Sequence, residues 1–299
     1  MASLLLPIIY LAFISLGLPD ALLGAAWPTM YPQLGAQVSW AGGVSMIISA
    51  CTILSALASD RLNERLGTGR VTAISVATTA AALLGFSFCH AFWQLCLWAI
   101  PYGLGAGSVD AALNNYVALH YKSRHMSWLH CMWGVGASLG PVIMGQALAG
   151  SGWQGGYRII GILQVVLTVV LLFSLPLWKL PQDAMGGEPF TPQHRSFPEL
   201  LKITGVPEVL VCFLCYCALE STAGMWASSY CTLVRGLDAQ AAASWASLFY
   251  LGITAGRFVS GFLTIKMSDR NMIRLGQVLI ALGILLVLLP AGNNVLAFL

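Results

Sequence analysis

Residues 179–202 read KLPQDAMGGEPFTPQHRSFPELLK, and this stretch divides the chain. It is rich in proline and charge, whereas the chain as a whole is 58% hydrophobic and only 8% charged. A soluble domain carries about a quarter charged residues, so a chain of this composition needs lipid as its solvent. A polar, proline-rich segment inside such a chain is typical of a linker between two helical units.

Long apolar runs stand on both sides of this linker. A membrane-spanning helix needs about 20 mainly apolar residues, and runs of that length follow one another with short polar turns between them. We predict nine complete spans, six before the linker and three after it. They cover residues 4–32, 38–59, 71–90, 93–121, 128–150, 157–178, 206–234, 240–265 and 272–290.

The two ends of the chain extend this interpretation. The N-terminal stretch MASLLLPIIYLAFISLG has no basic segment and no cleavage site, which favours a retained first span over a removable signal peptide. At the other end, residues 295–299 read VLAFL and begin a tenth apolar run. We therefore expect an N-terminal six-helix half at 1–178, a cytoplasmic linker at 179–203 and a C-terminally truncated second half at 204–299.

The basic residues indicate the orientation, because Lys and Arg concentrate in cytoplasmic loops. Eleven of the 14 follow even-numbered spans: Arg61, Arg65, Arg70, Lys122, Arg124, Lys179, Arg195, Lys202, Lys266, Arg270 and Arg274. We therefore predict a multi-pass protein of the inner (plasma) membrane with a cytoplasmic N-terminus.

Three acids fall inside predicted spans: Asp20 in the first, Asp110 in the fourth and Glu220 in the seventh. A charge at the bilayer centre costs about 2.5 to 3.5 kcal/mol, so an intramembrane acid is a functional hypothesis. A carboxyl group shielded from water can bind and release a proton near neutral pH, which makes Asp110 and Asp20 candidates for proton coupling. The alternative is that Asp110 is a structural carboxyl group, satisfied by neighbouring hydroxyls and amides.

One face of the fourth span is small and polar. Helical spacing places Gly103, Gly107, Asp110 and Asn114 on one stripe, with Asn115 beside it. Glycines permit close helix packing, whereas acids and amides can face a water-filled cavity. We predict that Asn114 and Asn115 contact a solute.

The first span repeats that spacing with Asp20, Gly24, Trp27 and Tyr31. Aromatic rings beside a polar group suit sugar-like ligands, so Trp27 and Tyr31 are candidate solute contacts. The alternative is that both rings belong to an aromatic belt at the membrane surface.

The seventh span echoes the first with Glu220, Gly224, Trp226 and Tyr230, one spacing being a residue shorter, which indicates an internal repeat. We add Glu220 and Trp226 to the candidate solute contacts. In the eighth span Arg257 lies within GITAGRFVSG, and a cation there needs a partner. The topology points to Glu220, and both an ion pair and contact with a solute are open.

The stretch GAGSVDAALNNY, residues 105–116, resembles the fourth helix of the major facilitator superfamily, and within it of the fucose-permease-like sugar and proton symporters. The resemblance implies two six-helix halves around a central cavity that helices 1, 4, 7 and 10 line. It implies a proton-coupling role for Asp110, gives Asn114 the place of the family's asparagine, and places Asp20 in the substrate cavity. The implied function is secondary active transport of a small polar solute, a sugar or related compound, by proton-coupled alternating access.

The segment ALASDRLNERLGTGR, residues 56–70, resembles the superfamily's loop between helices 2 and 3, although Ala56 replaces a usual glycine. The resemblance implies a gating or structural role for Asp60, Arg61 and Arg70. Arg257 is assigned a structural or gating role separately, because a cation inside a span needs a partner. The alternative for the loop is an ordinary basic cytoplasmic turn.

A second motif favours export over uptake. GASLGPVIMG, residues 136–145, resembles the glycine and proline motif of drug and proton antiporters. Against this, Ala99 stands near the place where such antiporters often have an arginine. A drug or metabolite antiporter is therefore the alternative, followed by a sensor that binds solute without moving it.

Other classes find no support in the sequence. It contains no HExxH pair, no GxSxG elbow and no phosphate-binding glycine loop, so we expect neither an enzyme nor a cofactor. The eight cysteines lie mainly in apolar runs, which favours neither a metal site nor disulfides. A net charge of +3 indicates no nucleic-acid partner. The expected partners are a solute, protons and lipid, with the protein a monomer.

Overall fold

The computed structural model describes residues 2–121, 123–179, 197–263 and 267–288, and the regular structure in these ranges is helical throughout. The helices are α1 (Ala2–Asp20), α2 (Leu22–Gln33), α3 (Trp40–Leu66), α4 (Thr68–Phe86), α5 (Phe92–His120), α6 (Ser123–Leu148), α7 (Gly152–Ser174), the 3-10 turn η1 (Leu175–Lys179), α8 (Phe197–Leu200), α9 (Val206–Leu233), α10 (Ala239–Leu263) and α11 (Asp269–Leu288). Linker residues 180–196 and the expected tenth run lie outside the described residues, so both stay predictions.

The long helices match the nine predicted spans. The first span corresponds to α1 and α2 together, the next five to α3 through α7, and the last three to α9 through α11. By length and composition, seven spans of the described chain are apolar enough to cross a membrane. The helices α5 and α10 are long enough but fall outside that set, and α5 carries the polar stripe around Asp110.

The expected loop at 56–70 is mostly helical. The helix α3 continues to Leu66 and α4 begins at Thr68, so Gly67 alone separates them, with a φ of 80° that favours glycine. Asp60 and Arg61 therefore lie on the last turns of α3, and Arg70 lies on the first turn of α4. All three side chains are exposed, and no hydrogen bond or ion pair joins them to a described residue, so their gating role stays a prediction.

The first span is broken where its acid lies. Pro19 has no N–H to donate to the carbonyl of Ser15 one turn earlier. The side chain of Gln164 on α7 donates to that carbonyl instead. The helix α1 ends at Asp20 and α2 begins at Leu22, so the acid lies at the break.

Two groups of helices, the first formed by α1 to α7 and the second by α9 to α11, meet along a shared interface. Within the first, α1 packs against α6, α3 and α4 pack against α5, and α4 packs against α7. From the second, α9 packs against α2 and α10 packs against α6. The glycines of GASLGPVIMG serve this packing, since side chains at Gly136 or Gly140 would collide with the α1 backbone at Ile14 or Leu18.

Candidate functional site

A cavity of about 640 Å³ lies between the two groups of helices. Its polar and ionisable lining comes from α1, α3, α5 and α6 on one side and α9 and α10 on the other: Asp20, Thr52, Tyr102, Asp110, Ser127, His130, Trp133, Tyr216, Cys217, Glu220, Arg257 and Ser260. All three acids that the sequence placed inside spans therefore line one cavity. A volume of this size is typical of sites for small organic molecules.

The cavity occupies one half of the bundle. On α6 and α9 the lining residues lie mainly in the first half of the helix, and on α10 they lie in the last half. These three helix halves are on the same side of the bundle as the start of α1. The opposite half is closed by a hydrophobic cluster that includes Trp27, Met144 and Trp153. The cavity thus lies on the side of the bundle where α1 begins, and the hydrophobic cluster packs on the opposite side.

Asp20 is held by two donors at the inner end of the cavity. The Tyr102 hydroxyl donates to its Oδ1 at 2.9 Å, and the Trp133 indole N–H donates to its Oδ2 at 2.7 Å. An ionised carboxylate only accepts hydrogen bonds, so one donor to each oxygen suits the charged form of Asp20. The Asp20 side chain is also exposed to the cavity.

Asp110 has one free oxygen. Its Oδ1 accepts a hydrogen bond from the Asn114 amide nitrogen at 3.0 Å, and the same nitrogen lies 3.0 Å from the Asp110 carbonyl. Among described residues nothing donates to Oδ2, and the side chain is exposed to the cavity. This carboxyl group can therefore receive a proton or bind a solute group.

The structure does not place Asn114 and Asn115 at the cavity, where the sequence predicted that they contact a solute. Asn114 is committed to Asp110, and neither amide is among the residues that line the cavity. The glycines of the stripe serve packing, because a side chain at Gly103 or Gly107 would collide with the α3 backbone near Ile48 or Thr52. The stripe thus combines close packing with a single cavity-facing acid.

Arg257 and Glu220 form the expected ion pair. Arg257 Nη2 lies 3.7 Å from Glu220 Oε1, and the guanidinium carbon lies 4.8 Å from the centre of the Trp133 ring. The two side chains remain 28% and 17% exposed, and both line the cavity. Contact of either residue with a solute stays open.

The aromatic predictions need correction. Trp27 is fully buried and donates its indole N–H to the Val38 carbonyl at 2.7 Å, so here it is a core residue and not a solute contact. Tyr31 and Trp226 are half-buried against the same hydrophobic cluster and do not line the cavity. This packing also argues against an aromatic belt for Trp27.

Other aromatic residues line the cavity and were not predicted from the sequence. They are Phe13, Tyr102, Trp133, Phe213 and Tyr216. A usable signal existed on α6, where Ser127, His130 and Trp133 recur every three residues and place polar groups on one face.

Comparisons with known proteins agree with this architecture. The sequence matches the family model described as Major Facilitator Superfamily over residues 9–299. It is 28% identical to a "Probable nitrate/nitrite antiporter NarK1" of Thermus thermophilus, over 92% of this chain and 66% of that protein. It is 20% identical to "Bypass of stop codon protein 6" of Saccharomyces cerevisiae, over 87% of this chain and 56% of that protein.

A solved structure shares the fold. The crystal structure of a mutant peptide transporter, POT, in complex with alafosfalin superposes with a TM-score of 0.64 at 15% identity, covering 98% of this chain and 77% of that one. The chain spans about two thirds of one curated relative and just over half of the other. Because the family match extends over nearly the whole chain, this multi-pass membrane protein belongs to the major facilitator superfamily of transporters.

Proposed function

We propose that this protein moves a small polar solute across the plasma membrane by proton-coupled alternating access. The observation that carries the proposal is the cavity between the two groups of helices, with Asp20 and Asp110 from one group and Glu220 from the other. In this superfamily, rocking of two halves around a midplane site exposes it to each side in turn. The N-terminus is cytoplasmic in this proposal, so the cavity faces the cytoplasm.

Asp110 is the proposed proton-binding group. Its free Oδ2 faces the cavity while Asn114 fixes its orientation, which gives a carboxyl group that can exchange a proton with cavity water. Asp20 differs because both its oxygens are occupied by donors. We assign Asp110 to binding of the transported proton, and Asp20 to a second protonation that tunes the charge of the site.

A neutral, hydroxyl-bearing solute such as a sugar fits the lining best. The hydroxyls of Thr52 and Tyr216 and the ring of Trp133 offer hydrogen bonds and an aromatic surface. Arg257 is already paired with Glu220, so Asp20 and Asp110 have no counter-cation among the described residues. An anionic solute would meet that excess negative charge.

Export is the second candidate, and the relative described as an antiporter keeps it open. The GASLGPVIMG motif adds little to it, because Gly136 and Gly140 are explained by packing against α1. A sensor that binds without transport would keep the cavity but produce no flux. We propose uptake by a monomer.

The test uses the full-length protein in proteoliposomes that contain a pH-sensitive dye. We expect internal acidification when the right solute from a panel of sugars and other small solutes is added outside. Asp110→Asn should abolish this acidification and uphill uptake while solute exchange persists, because the variant binds solute but carries no proton.

The matched control is Asp238→Asn, which makes the same chemical change at an exposed acid outside the cavity. Asp238 Oδ1 accepts the Ala241 N–H at the start of α10, and asparagine serves that position equally well. Unchanged uphill uptake in Asp110→Asn would remove Asp110 from the mechanism. Absence of any solute-driven acidification in a folded wild-type protein would favour export or sensing.

A further inference from the structure

One side chain touches both groups of helices through two different parts of its ring. Trp133 on α6 donates its indole N–H to Asp20 Oδ2 at 2.7 Å. The face of the same ring lies 4.8 Å from the guanidinium carbon of Arg257 on α10. The edge therefore contacts an acid of the first group, and the face contacts a cation of the second.

The two contacts depend on charge. A hydrogen bond to a carboxylate is about twice as strong as one to a neutral acceptor, so the Trp133 bond weakens when Asp20 takes up a proton. The contact between Arg257 and the ring is electrostatic and requires the guanidinium to stay over the ring face. Because an indole is rigid, a rotation that breaks the first contact disturbs the second.

This pair of contacts lies at the main interface between the groups. The helices α6 and α10 pack closely, and the ring centroids of Trp133 and Tyr250 are 6.2 Å apart. Arg257 in turn pairs with Glu220 on α9 at 3.7 Å. A continuous series from Asp20 through Trp133 and Arg257 to Glu220 thus joins α1, α6, α10 and α9.

Other titratable groups surround this series and bear on its response to pH. Those that face Asp20 or share its cavity are Tyr102 and Asp110 on α5, His130 on α6, Tyr216, Cys217 and Glu220 on α9, and Tyr250 and Arg257 on α10. Trp133 differs from these groups because its ring contacts both Asp20 and Arg257 directly.

We propose that Trp133 is a positioning residue that couples the charge of Asp20 to the contact between the two halves of the protein. With Asp20 ionised, the indole is held in place and Arg257 is seated over it, which stabilises the arrangement described here. A proton on Asp20 releases the indole and shifts the population toward the opposite-facing state. The proposal rests on the alternating-access function above and names how the site is regulated.

The test compares Trp133→Phe with Trp153→Phe. Phenylalanine keeps an aromatic face for Arg257 but has no N–H for Asp20. Trp153 is a matched control, because it also donates its indole N–H to a side chain, Gln33 Oε1 at 2.8 Å, but does so within the first group of helices. Both substitutions remove one indole hydrogen bond of similar length.

The first readout is the distance between labels on the two groups, measured from pH 5 to pH 8. The labels are attached at exposed Gln37 and Val234 through unnatural amino acids, which avoids the eight native cysteines. We expect a pH-dependent distance in the wild type and in Trp153→Phe, and a pH-independent one in Trp133→Phe. A pH-independent wild type, a wild-type response in Trp133→Phe, or equal loss in both variants would each overturn the proposal.

The second readout is transport of a solute identified with the wild type. We expect Trp133→Phe to retain solute counterflow while proton-driven accumulation falls about tenfold, the scale of a lost hydrogen bond to a charged group. If Trp133→Phe does not fold, Arg257→Gln leaves the indole in place and should lose the same pH response. The distance readout needs no solute, so a failed transport assignment is distinguishable from a failed role for Trp133.

Discussion

Asp110 and Asn114 lie one helical turn apart on α5, and their hydrogen bond decides what each can do. The amide nitrogen of Asn114 holds Oδ1 at 3.0 Å, which leaves Oδ2 as the oxygen open to the cavity. Asn115 follows immediately but is exposed away from the lining. Two adjacent asparagines therefore have different roles, one orienting an acid and one without a contact to the site.

This difference gives a prediction for a matched pair of variants. Asn114→Ala frees Asp110 to rotate and removes a hydrogen bond to a charged group of about 1.5 to 3 kcal/mol, so proton-driven accumulation should fall about tenfold or more. Asn115→Ala should leave accumulation near the wild-type value. Uptake into proteoliposomes at a fixed pH gradient measures both, and equal activities for the two variants would contradict the role of Asn114.

At the scale of the element, the break between α1 and α2 depends on an exchange of hydrogen-bond donors. Pro19 withdraws a backbone donor from the Ser15 carbonyl, and Gln164 on α7 supplies a replacement. The Gln164 side chain is buried, and its Oε1 has no partner among the described residues. The contribution of Gln164 in the core is therefore its side-chain N–H donor. This hydrogen bond connects α7 to the turn of α1 that precedes Asp20.

This exchange of donors predicts that the effects of substitutions at Gln164 and Pro19 on the free energy of unfolding are not additive. Gln164→Leu should destabilise the protein by about 1 to 3 kcal/mol, because it leaves the buried Ser15 carbonyl unsatisfied. In a Pro19→Ala background the backbone N–H of residue 19 can serve that carbonyl, so the same change should cost less. Thermal unfolding of the four proteins in detergent measures the cycle, and equal costs in both backgrounds would contradict the assigned exchange.

The repeat between the first and seventh spans has a physical counterpart at the interface. The helices α2 and α9 approach so closely at Gly24 that an added Cβ would lie 2.5 Å from the Gly224 carbonyl oxygen. The repeat-related glycines therefore meet each other, and the repeat-related acids Asp20 and Glu220 line the same cavity. A weak similarity in sequence corresponds to two equivalent positions around one site.

These elements also explain which features could be predicted from the sequence. An acid in an apolar run is a local property, so Asp20, Asp110 and Glu220 were identified without knowledge of the packing. The periodicity around Trp27 defined a face of the helix but not whether that face meets the cavity or the core. The role of Trp133 depends on Asp20 and Arg257, which are distant in sequence, and no local pattern specifies such contacts.

At the scale of the whole molecule, the charge of the cavity limits what can enter it. Asp20, Asp110 and Glu220 supply three carboxyl groups, and Arg257, paired with Glu220, supplies the fixed positive charge of the described lining. With His130 neutral, the ionised site is negative. A unit charge 4 Å from another interacts by about 4 kcal/mol at an effective dielectric of 20, so each unpaired acid opposes an anion strongly.

We therefore predict that this protein does not transport nitrate or nitrite, although one relative is described as a nitrate/nitrite antiporter. The measurement is nitrate taken up by proteoliposomes under a pH gradient and under nitrate exchange conditions, compared with protein-free liposomes. We expect no saturable uptake at any pH from 6 to 8, and no inhibition by nitrate of solute-driven acidification. In Asp110→Asn the loss of one negative charge should weaken the exclusion, so any nitrate entry should appear first in that variant. Saturable nitrate uptake by the wild type would show that Arg257 is available to an anion and that its pairing with Glu220 opens during the transport cycle.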